Sequence, residues 1–504
     1  MRDHGRRRAG LGTPTRHLPR QHPHADRHSH AQTPETRQGR HRMTHPATGT
    51  TKGATHPVLN PATGEVVASV EVLDGAAVDA AVLAAQKAFE AWRDTSVEQR
   101  VEVLDRIADL VRGNAGKLSE LLTLEQGKPI AEARTEVDTT EATFRRYADL
   151  GREKGAALFT EELGEHVRTF TPLGVVAGII PWNAPLLVAA MKAGPAILTG
   201  NTIILKPAPT TPLATLELSR LLADTVPEGL VQCLVDDGSI GPLLASHPGV
   251  RKVAFTGSTV TGRAVTTAGA PTLKRLTLEL GGNDPAIVLG DADPEAAAAG
   301  IFARAFFNAG QVCGAVKRVY IHDDVYDRFV ESIADLVRDV VVGDGFDPAV
   351  TVGPLQNRTQ YEKTTALLAK AVSDGTILAQ SGVPDVDGGY FVPVTVVGDL
   401  DDAHPLVTGE QFAPILPLLR FSDEADAVAR ANSTEYGLTA SVWTSDVAHG
   451  ESVVQRIDAA LLGVNKHNRV APAFGIAMSK QSGSGWLFGP EGVREYLQPH
   501  LLFR

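Results

Sequence analysis

The run Val175-Val-Ala-Gly-Ile-Ile180 indicates the fold class, because it is continuously apolar and stops abruptly at Pro181. Three further short apolar runs end in the same way, at 202–205, 253–255 and 276–278. Helical patterns lie between them. Continuous apolar strands that alternate with helices are typical of a parallel sheet with both faces covered. The sequence therefore predicts an α/β fold in this part of the chain.

A second alternation of strands and helices runs from Ala286 to about Asn465, and no segment repeats along the chain. Its strand candidates lie at 319–321, 391–397 and 441–443. We therefore predict two successive α/β units. A ligand cleft is expected at their junction, near 279–283, because ligands bind such sheets beyond the carboxyl ends of the strands.

Upstream of these units the chain reads as a hairpin followed by helices. The stretch Asn60-Pro-Ala-Thr-Gly-Glu65 is a turn signal between two short β runs. Residues 76–92 are rich in alanine, and Ser96 with Gln99 makes a capping box for a second helix.

Composition excludes several classes of protein. The chain has 504 residues, of which 43% are hydrophobic and 21% charged, so it is an ordinary globular chain of two or three domains. Its two cysteines exclude a disulfide scaffold and favour a reducing, cytoplasmic compartment. No apolar run is long enough to span a membrane. The net charge of −11 argues against nucleic-acid binding.

The N-terminal segment differs from the rest, since residues 1–42 carry ten Arg and seven His against three acidic residues. It has almost no apolar residues, so residues 1–55 are predicted to be a disordered tail. Three interpretations compete: an arm that binds metal or nucleic acid, a transit peptide, and translation from an upstream start. A transit peptide needs an apolar face that is missing here. We favour the third, with Met43 as the natural start.

Of the two cysteines, Cys313 is the candidate nucleophile. A single cysteine in a large enzyme is usually a small core residue. Here, however, Gly310 and Gly314 lie beside Cys313, so the backbone can bend and a substrate can approach. Cys233 lies inside the apolar run 230–235 and is predicted to serve packing alone.

Two polar residues lie at the ends of predicted strands. Glu279 follows the run 276–278, where a buried carboxylate is costly unless it is ion-paired or functional, so a salt bridge and a general base both remain open. Asn183 lies in Pro181-Trp-Asn-Ala-Pro185. The two prolines fix the turn, so its amide could stabilise an oxyanion. The alternative is a turn asparagine that bonds its own backbone.

Two further features suit a phosphate or a ribose. The segment Gly257-Ser-Thr-Val-Thr-Gly262 follows a strand and opens a helix, whose N-terminal amides and dipole can bind phosphate. It is not the Gly-x-Gly-x-x-Gly fingerprint. Lys206 ends a strand and is fixed by Pro207, so it could reach a ribose or phosphate, or be a solvated lysine.

Taken together, these segments make the chain resemble the aldehyde dehydrogenase superfamily from about Val58 to Gln498. The matching segments occur in the family's order: Pro181-Trp-Asn-Ala-Pro185, Lys206-Pro207, Gly257-Ser-Thr-x-x-Gly262, Leu278-Glu-Leu-Gly-Gly282, Gly310-Gln-Val-Cys313, Gly389-Tyr-Phe391, Glu410-Gln-Phe-Ala-Pro414, Asn465 and Lys480-Gln-Ser-Gly483. The resemblance implies a Rossmann-like cofactor domain, an α/β catalytic domain and a small β oligomerisation arm. The implied boundaries are 56–152 and 172–279 for the cofactor domain, 153–171 for an oligomerisation flap, 280–466 for the catalytic domain, and 467–504 for the active-site wall and C-terminal arm.

The resemblance also implies a reaction. Cys313 would add to an aldehyde and form a thiohemiacetal, whose oxyanion the Asn183 amide and the Cys313 backbone N–H would hold. Loss of hydride would leave a thioester, and Glu279 would activate water to hydrolyse it. Lys192 matches a lysine that lies near the active site in relatives.

The implied cofactor is NAD, with NADP as an open alternative, and no metal is implied. Lys206 would bond the adenosine ribose, Ser258 the pyrophosphate and Glu410 the nicotinamide ribose. The full implied set is Trp182, Lys206, Gly257, Ser258, Gly262, Glu410 and Phe412. Relatives that prefer NAD often carry Glu two residues after the Lys-Pro, where this chain has Pro209. The charge that would repel the extra phosphate of NADP is therefore missing.

The chain departs from the family pattern at the end of the Lys480 segment and after Glu279. Trp486-Leu487 stands where relatives have Arg-Glu, and Asn283 stands where they have Lys. The approach to Lys480 is also slightly longer. None of these changes removes Cys313 or the residues implied to act with it.

Substrate and assembly are the least determined features. Ala184, Val188 and Met191 stand where many relatives carry aromatics, so we expect a roomier pocket for a bulky or aromatic aldehyde. No Arg is evident to anchor an anionic group, although Arg469 stays open. The expected assembly is a homodimer or homotetramer, with no nucleic-acid or membrane partner.

Two alternative functions compete with this interpretation. An acylating enzyme would pass its thioester to coenzyme A, but Glu279 argues against it because hydrolysis would compete. A non-catalytic protein on the same scaffold is disfavoured because Cys313, Glu279 and Asn183 are all present.

Overall fold

The structure is a computed structural model of the 504-residue chain, and it describes residues 42–43, 54–469 and 473–503. Most of the predicted N-terminal tail lies outside these ranges. Within it, Arg42–Met43 runs parallel to Ser69 and Val70, and a strand already begins at Thr55.

The apolar run that ends at Pro181 forms the strand Val175–Ile179 in a six-stranded sheet. All strands of this sheet are parallel except the first, which pairs antiparallel with its neighbour. From one edge to the other the strands are Gly483–Ser484, Arg275–Glu279, Val250–Thr256, Val175–Ile179, Thr202–Lys206 and Val231–Cys233.

The second alternation forms a seven-stranded sheet, in which only the first strand is antiparallel. Its strands in spatial order are Thr376–Gln380, Thr395–Gly398, Ile415–Phe421, Val316–His322, Asp284–Val288, Thr439–Trp443 and Leu461–Val464. Three small sheets accompany it: Arg42–Met43, Val66–Glu71 and Thr55–Leu59; Leu497–Phe503, His166–Pro172 and Thr160–Leu163; Ile476–Ala477 and Trp486–Leu487.

Helices connect and cover the sheets. The α-helices of the described residues are Gly75–Trp92, Val97–Gly113, Ala115–Gln126, Ile130–Lys154, Pro185–Leu198, Leu213–Leu222, Ile240–Ser246, Thr259–Gly269, Pro294–Ala305, Asp323–Arg338, Arg358–Asp374, Pro405–Thr408, Glu424–Ala431, Val447–Val454 and Gly489–Arg494. Short 3₁₀ segments lie at Gly155–Leu158, Ala270–Thr272 and Phe307–Gly310. None of the helices described here has the length and apolarity needed to cross a membrane.

Both large sheets are buried on both faces, which explains why their strands are continuously apolar. In Val175–Ile179, Val176 packs into one hydrophobic cluster while its neighbours Val175 and Ala177 pack into another. The second sheet divides in the same way, with Val288 on one side and Ile287 on the other. The predicted α/β fold with two parallel sheets is confirmed.

The local predictions upstream are also met. The strands Thr55–Leu59 and Val66–Glu71 pair antiparallel across the predicted turn. The helix Val97–Gly113 begins with the predicted capping box, in which Ser96 and Gln99 each accept a hydrogen bond from the other's backbone N–H.

One strand prediction is wrong at its start. The sequence predicts a strand over 391–397, but the strand is Thr395–Gly398. Pro393 lies inside the run and has no N–H to give to a ladder, so pairing begins only after it.

Candidate active site

A cavity of about 770 Å³ lies at the predicted junction, and Glu279, Leu280 and Gly281 form part of its wall. The candidate residues that line it are Cys313, Glu279, Asn183, Trp182, Gly257, Ser258, Glu410 and Phe412. The other three candidates, Lys192, Lys206 and Gly262, are not in its lining. The cleft expected from the strand ends is therefore present.

A left-handed turn presents Cys313 to this cavity. Asn308, Ala309 and Gly310 have φ values of 53°, 54° and 71°, which is unusual for the first two because an L side chain crowds the backbone there. A side chain at Gly310 would place its Cβ 2.4 Å from the Ala413 carbonyl oxygen. The tight turn therefore requires glycine at 310.

Cys313 itself is half-buried. Burial raises the pKa of its thiol to about 12, and the negative charges of Glu279, Asp284 and Glu410 act in the same direction. A Cβ at the neighbouring Gly314 would lie 2.6 Å from Asn468 Nδ2. Burial and the neighbouring negative charges thus both favour the protonated thiol in the resting site.

Cys233 lies in the strand Val231–Cys233 and is buried. Burial raises the pKa of its thiol to about 12 as well. It does not line the cavity. The prediction that Cys233 serves packing is consistent with this position.

Glu279 ends the strand Arg275–Glu279 and lines the cavity. Lys192, on the helix Pro185–Leu198, donates to Glu279 Oε1 at 3.1 Å and to Thr256 Oγ1 at 2.7 Å. The Lys192 side chain is 1% exposed and that of Glu279 is 11% exposed. The salt bridge left open for Glu279 is therefore present, and the same carboxylate lines the cavity, while its part as a general base stays a prediction.

Asn183 is oriented by three hydrogen bonds. Its side-chain Nδ2 donates to the Gln311 carbonyl at 2.9 Å, two residues before Cys313. The backbone carbonyl of Asn183 accepts hydrogen bonds from Lys128 Nζ at 2.9 Å and from Asn308 Nδ2 at 3.0 Å. The amide therefore reaches the nucleophile loop, and among the described residues it forms no hydrogen bond to the backbone of its own turn.

The predicted phosphate segment forms a helix N-terminus at the cavity wall. Ser258 caps the helix Thr259–Gly269, and its Oγ accepts from the Thr261 N–H at 3.2 Å. A Cβ at Gly262 would lie 2.5 Å from Leu280 Cδ2, so glycine here allows the helix to approach the chain beyond the strand. Amides at such a terminus suit a phosphate oxygen.

Glu410 lies beside the glycines that follow Glu279. Its Oε1 accepts from the Gly282 N–H at 3.0 Å, and a Cβ at Gly281 would lie 2.3 Å from its Oε2. Burial raises the pKa of Glu410 to about 7. Close by, the rings of Trp182 and Phe412 meet edge to face with centroids 5.4 Å apart.

Lys206 is not a solvated lysine. Its Nζ lies 2.7 Å from Asp236 Oδ1, and both side chains are buried. Asp236 in turn accepts from the Ile240 N–H at 2.8 Å. The contact of Lys206 with a ribose stays a prediction.

The structure adds cavity residues that the sequence did not reveal. Arg304 lines the cavity, is exposed and forms no ion pair with any described residue, which corrects the expectation that no arginine is evident there. Arg469, the arginine left open, is exposed and does not line the cavity. The available signal was position, since Arg304 lies in the last turn of the helix Pro294–Ala305, which leads into the Cys313 loop.

Lys128, Asn308 and Asn468 also line the cavity and were missed. Lys128 stands in a Gly-Lys-Pro sequence much like Lys206-Pro207, which could have drawn attention to it. In the described ranges, no group of three or more His, Cys, Asp or Glu side chains is placed to hold a metal ion.

Comparison with known proteins agrees with this geometry. The model of the aldehyde dehydrogenase family matches residues 48–501. The aldehyde dehydrogenase LUC3 of Fusarium sp is 37% identical over 428 residues, which cover 84% of this chain and 90% of that protein. The NADP(+) succinate-semialdehyde dehydrogenase GabD of Escherichia coli strain K12 is 37% identical over 430 residues, covering 83% and 88%. A solved NAD-dependent aldehyde dehydrogenase from Sinorhizobium meliloti superposes with a TM-score of 0.87 at 31% identity, covering 91% and 93% of the two chains. The chain belongs to the aldehyde dehydrogenase family.

Proposed function

We propose that this enzyme oxidises an aldehyde to a carboxylic acid with NAD(P), through a thioester on Cys313 that water hydrolyses. The observation that carries the proposal is the shared cavity, in which a thiol, a carboxylate and a fixed amide meet a helix N-terminus. A thiol adds to a carbonyl and leaves again readily, while a positioned carboxylate turns water into a nucleophile.

Each residue has one part in this sequence of steps. The Cys313 thiol loses its proton to solvent through the open cavity, and Cys313 Sγ bonds to the aldehyde carbon. The second N–H of the Asn183 amide and the Cys313 backbone N–H donate to the oxyanion, where fixed donors are most effective. Bound NAD(P)⁺ supplies the hydride acceptor. Glu279 then takes a proton from water, which attacks the thioester and releases Cys313.

Lys192 fits a supporting part below the cavity. Its ammonium pairs with Glu279 and bonds Thr256, so it fixes the position of the carboxylate. Removal of Lys192 would leave that carboxylate without its buried cation.

The cavity residues Ser258, Glu410, Trp182 and Phe412, which we call the cofactor half of the cavity, fit a dinucleotide. The amides behind Ser258 suit the pyrophosphate, and the Glu410 carboxylate suits ribose hydroxyls, since the backbone of the described residues holds it through the Gly282 N–H and leaves its other oxygen free to accept. Trp182 and Phe412 supply an apolar wall. NAD is the proposed cofactor with NADP as an alternative, because Pro209 removes the charge that would discriminate between them. The relatives include one named with NADP(+) and one described as NAD-dependent.

The small and aliphatic side chains of Ala184, Val188 and Met191, which we call the substrate half of the cavity, support a bulky aldehyde as the substrate. Ala184, Val188 and Met191 line the cavity and leave room that larger aromatic side chains would fill. Arg304 adds one unpaired cation to this largely apolar wall. We propose an aldehyde with a bulky apolar or aromatic body, and an anionic group on it can meet Arg304.

We also propose that the enzyme acts as a cytoplasmic homodimer or homotetramer. The strand Leu497–Phe503 ends in Leu501, Leu502 and Phe503, which are 54%, 51% and 71% exposed. An exposed apolar strand end of this kind suits burial against another copy of the chain. Sedimentation of the purified protein tests the assembly.

A panel of aldehydes tests the proposed function. NAD(P)H formation would be followed with acetaldehyde, an uncharged aryl aldehyde and its carboxylated analogue, with and without coenzyme A. We expect a higher kcat/KM for the aryl aldehydes and a free acid as the product. The variant Arg304→Gln should lower kcat/KM about 3- to 10-fold for the carboxylated aldehyde alone, as for one partly exposed ion pair. Acyl-coenzyme A as the main product would contradict the hydrolytic step, and a preference for acetaldehyde would contradict the substrate class.

A further inference from the structure

The backbone carbonyl oxygen of Asn183 accepts hydrogen bonds from two side chains that lie in different parts of the chain. Lys128 Nζ reaches it at 2.9 Å from the segment before the helix Ile130–Lys154, and Asn308 Nδ2 reaches it at 3.0 Å from the loop of the nucleophile. We propose that Lys128 is a positioning residue for Asn183, whose amide it holds in register with the Cys313 loop. This inference rests on the proposed function.

Lys128 is well suited to hold a fixed geometry. Its side chain is 2% exposed and forms an ion pair with Glu136, which is 4% exposed. Glu136 Oε1 accepts from the Leu186 and Leu187 N–H groups at 3.0 and 3.4 Å. The pair therefore ties the helix Ile130–Lys154 to the first turn of the helix that begins two residues after Asn183.

The second donor is anchored just as firmly. The Asn308 N–H donates to Glu132 Oε2 at 3.0 Å, and Asn308 begins the left-handed turn before Cys313. Lys128 therefore contacts the Asn183 backbone carbonyl directly, and Glu132 supports the same carbonyl through Asn308. Because the Asn183 side chain also donates to Gln311, the oxyanion donor and the nucleophile loop are fixed to the same support.

The alternative is that Lys128 only stabilises the fold and does not position Asn183. Lys128 lies among Glu125, Glu132 and Glu136, and burial raises the pKa of Glu125 to about 8 and of Glu132 to about 7, while the Lys128 charge opposes both shifts. A buried ion pair by itself is weak evidence for stability, because desolvation offsets the attraction. If Lys128 only stabilised the fold, its ion pair with Glu136 would suffice. The hydrogen bond from Lys128 Nζ to Asn183 is needed only if Lys128 positions Asn183.

The effect should appear in the chemical step. A preorganised oxyanion donor is worth about 10²- to 10³-fold in rate, and a displacement of about 1 Å loses much of this. Lys128→Met alone would leave the Glu136 carboxylate buried without a cation, so Lys128→Met/Glu136→Gln is the variant to use. This double substitution is neutral, and the new side-chain amide still offers an oxygen to the Leu186 and Leu187 N–H groups.

The test is a double-mutant cycle with Asn183→Ala, read as kcat and KM with NAD and an aryl aldehyde. We expect Lys128→Met/Glu136→Gln to lower kcat about 10- to 100-fold, with both KM values within about twofold. In the Asn183→Ala background the same substitutions should change kcat by less than about threefold. Alkylation of Cys313 by iodoacetamide should be unchanged.

Lys252→Met/Glu495→Gln is the matched control for loss of a buried lysine together with the charge of its carboxylate partner. Lys252 is fully buried, lies near Glu495 at 3.6 Å and does not line the cavity. Its removal should lower Tm without a comparable fall in kcat.

Three results would overturn the inference. The first is the same fold loss in both backgrounds. The second is a fall in Cys313 alkylation that parallels the fall in kcat, which would show a general disruption of the loop. The third is an active wild type with an equally active variant, which leaves the proposed function intact. A wild type that oxidises no aldehyde of the panel would instead overturn the proposed function, and this inference with it.

Discussion

Cys233 and Cys313 have thiols with similarly raised pKa values, but they lie in different surroundings. Burial raises the thiol pKa to about 12 at both cysteines. Cys233 lies in an edge strand, buried among apolar side chains, and the charge of Lys206 opposes the shift. Cys313 faces a cavity, and three carboxylates add to its shift. The two thiols therefore differ in their access to the cavity and in the charges beside them, and we expect these differences to set their reactivity.

The largest expected effect separates the two cysteines directly. Cys313→Ala removes the nucleophile and should lower kcat by about 10⁴-fold or more. Cys233→Ala removes only packing, so it should leave kcat unchanged and cost about 1 kcal/mol of unfolding free energy. Steady-state NAD(P)H formation and thermal unfolding of both variants measure this contrast. Comparable activity losses at the two positions would erase the distinction.

A smaller but sharper effect is expected at Glu279. Glu279→Gln removes the base that activates water, so steady-state turnover should fall about 10²- to 10⁴-fold. The variant also removes one of the negative charges that raise the pKa of Cys313, so its thiol should ionise more readily. Stopped-flow measurement should therefore show an initial burst of reduced cofactor followed by slow turnover.

The control for that experiment is alkylation of the free enzyme at pH 8. Iodoacetamide should modify Cys313 at least as fast in Glu279→Gln as in the wild type. Slower alkylation together with a missing burst would mean that Glu279 is needed chiefly to ionise the thiol.

The smallest expected effect concerns the cofactor half of the cavity. Burial raises the pKa of Glu410 from its ordinary 4.5 to about 7, so the carboxylate gains a proton as the pH falls through 7. The ionised form accepts from ribose hydroxyls, and therefore KM for NAD should rise below pH 7. Glu410→Gln should raise that KM about 3- to 10-fold at pH 8 and remove its pH dependence. A wild-type KM that stays flat from pH 6 to 8 would argue against this contact.

The features that the sequence predicted are those that local chain chemistry determines. Glu279, Asn183 and Lys206 each follow an apolar run, and such runs end at the same edge of a parallel sheet. Ser258 stands between a strand and a helix, where an N-cap is expected. These positions needed no knowledge of distant contacts.

The features that were missed depend on residues far apart in the chain. Lys128 meets Asn183 across 55 positions, and Asn308 meets it across 125. The ion pair between Lys206 and Asp236 was hidden for the same reason. The positive φ of Asn308 and Ala309 is also unfavourable for both residues taken alone, and it is tertiary contacts such as the bond to Glu132 that hold it.

Trapping the acyl-enzyme shows directly whether Cys313 is the nucleophile. Glu279→Gln would be mixed with NAD and an aryl aldehyde, quenched in acid and digested, and the cysteine peptides weighed by mass spectrometry. We expect the peptide that contains Cys313 to carry the acyl group in proportion to the burst, and the Cys233 peptide to be unmodified. Reduced cofactor formed without an acyl group on Cys313, or an acyl group on Cys233, would contradict the account.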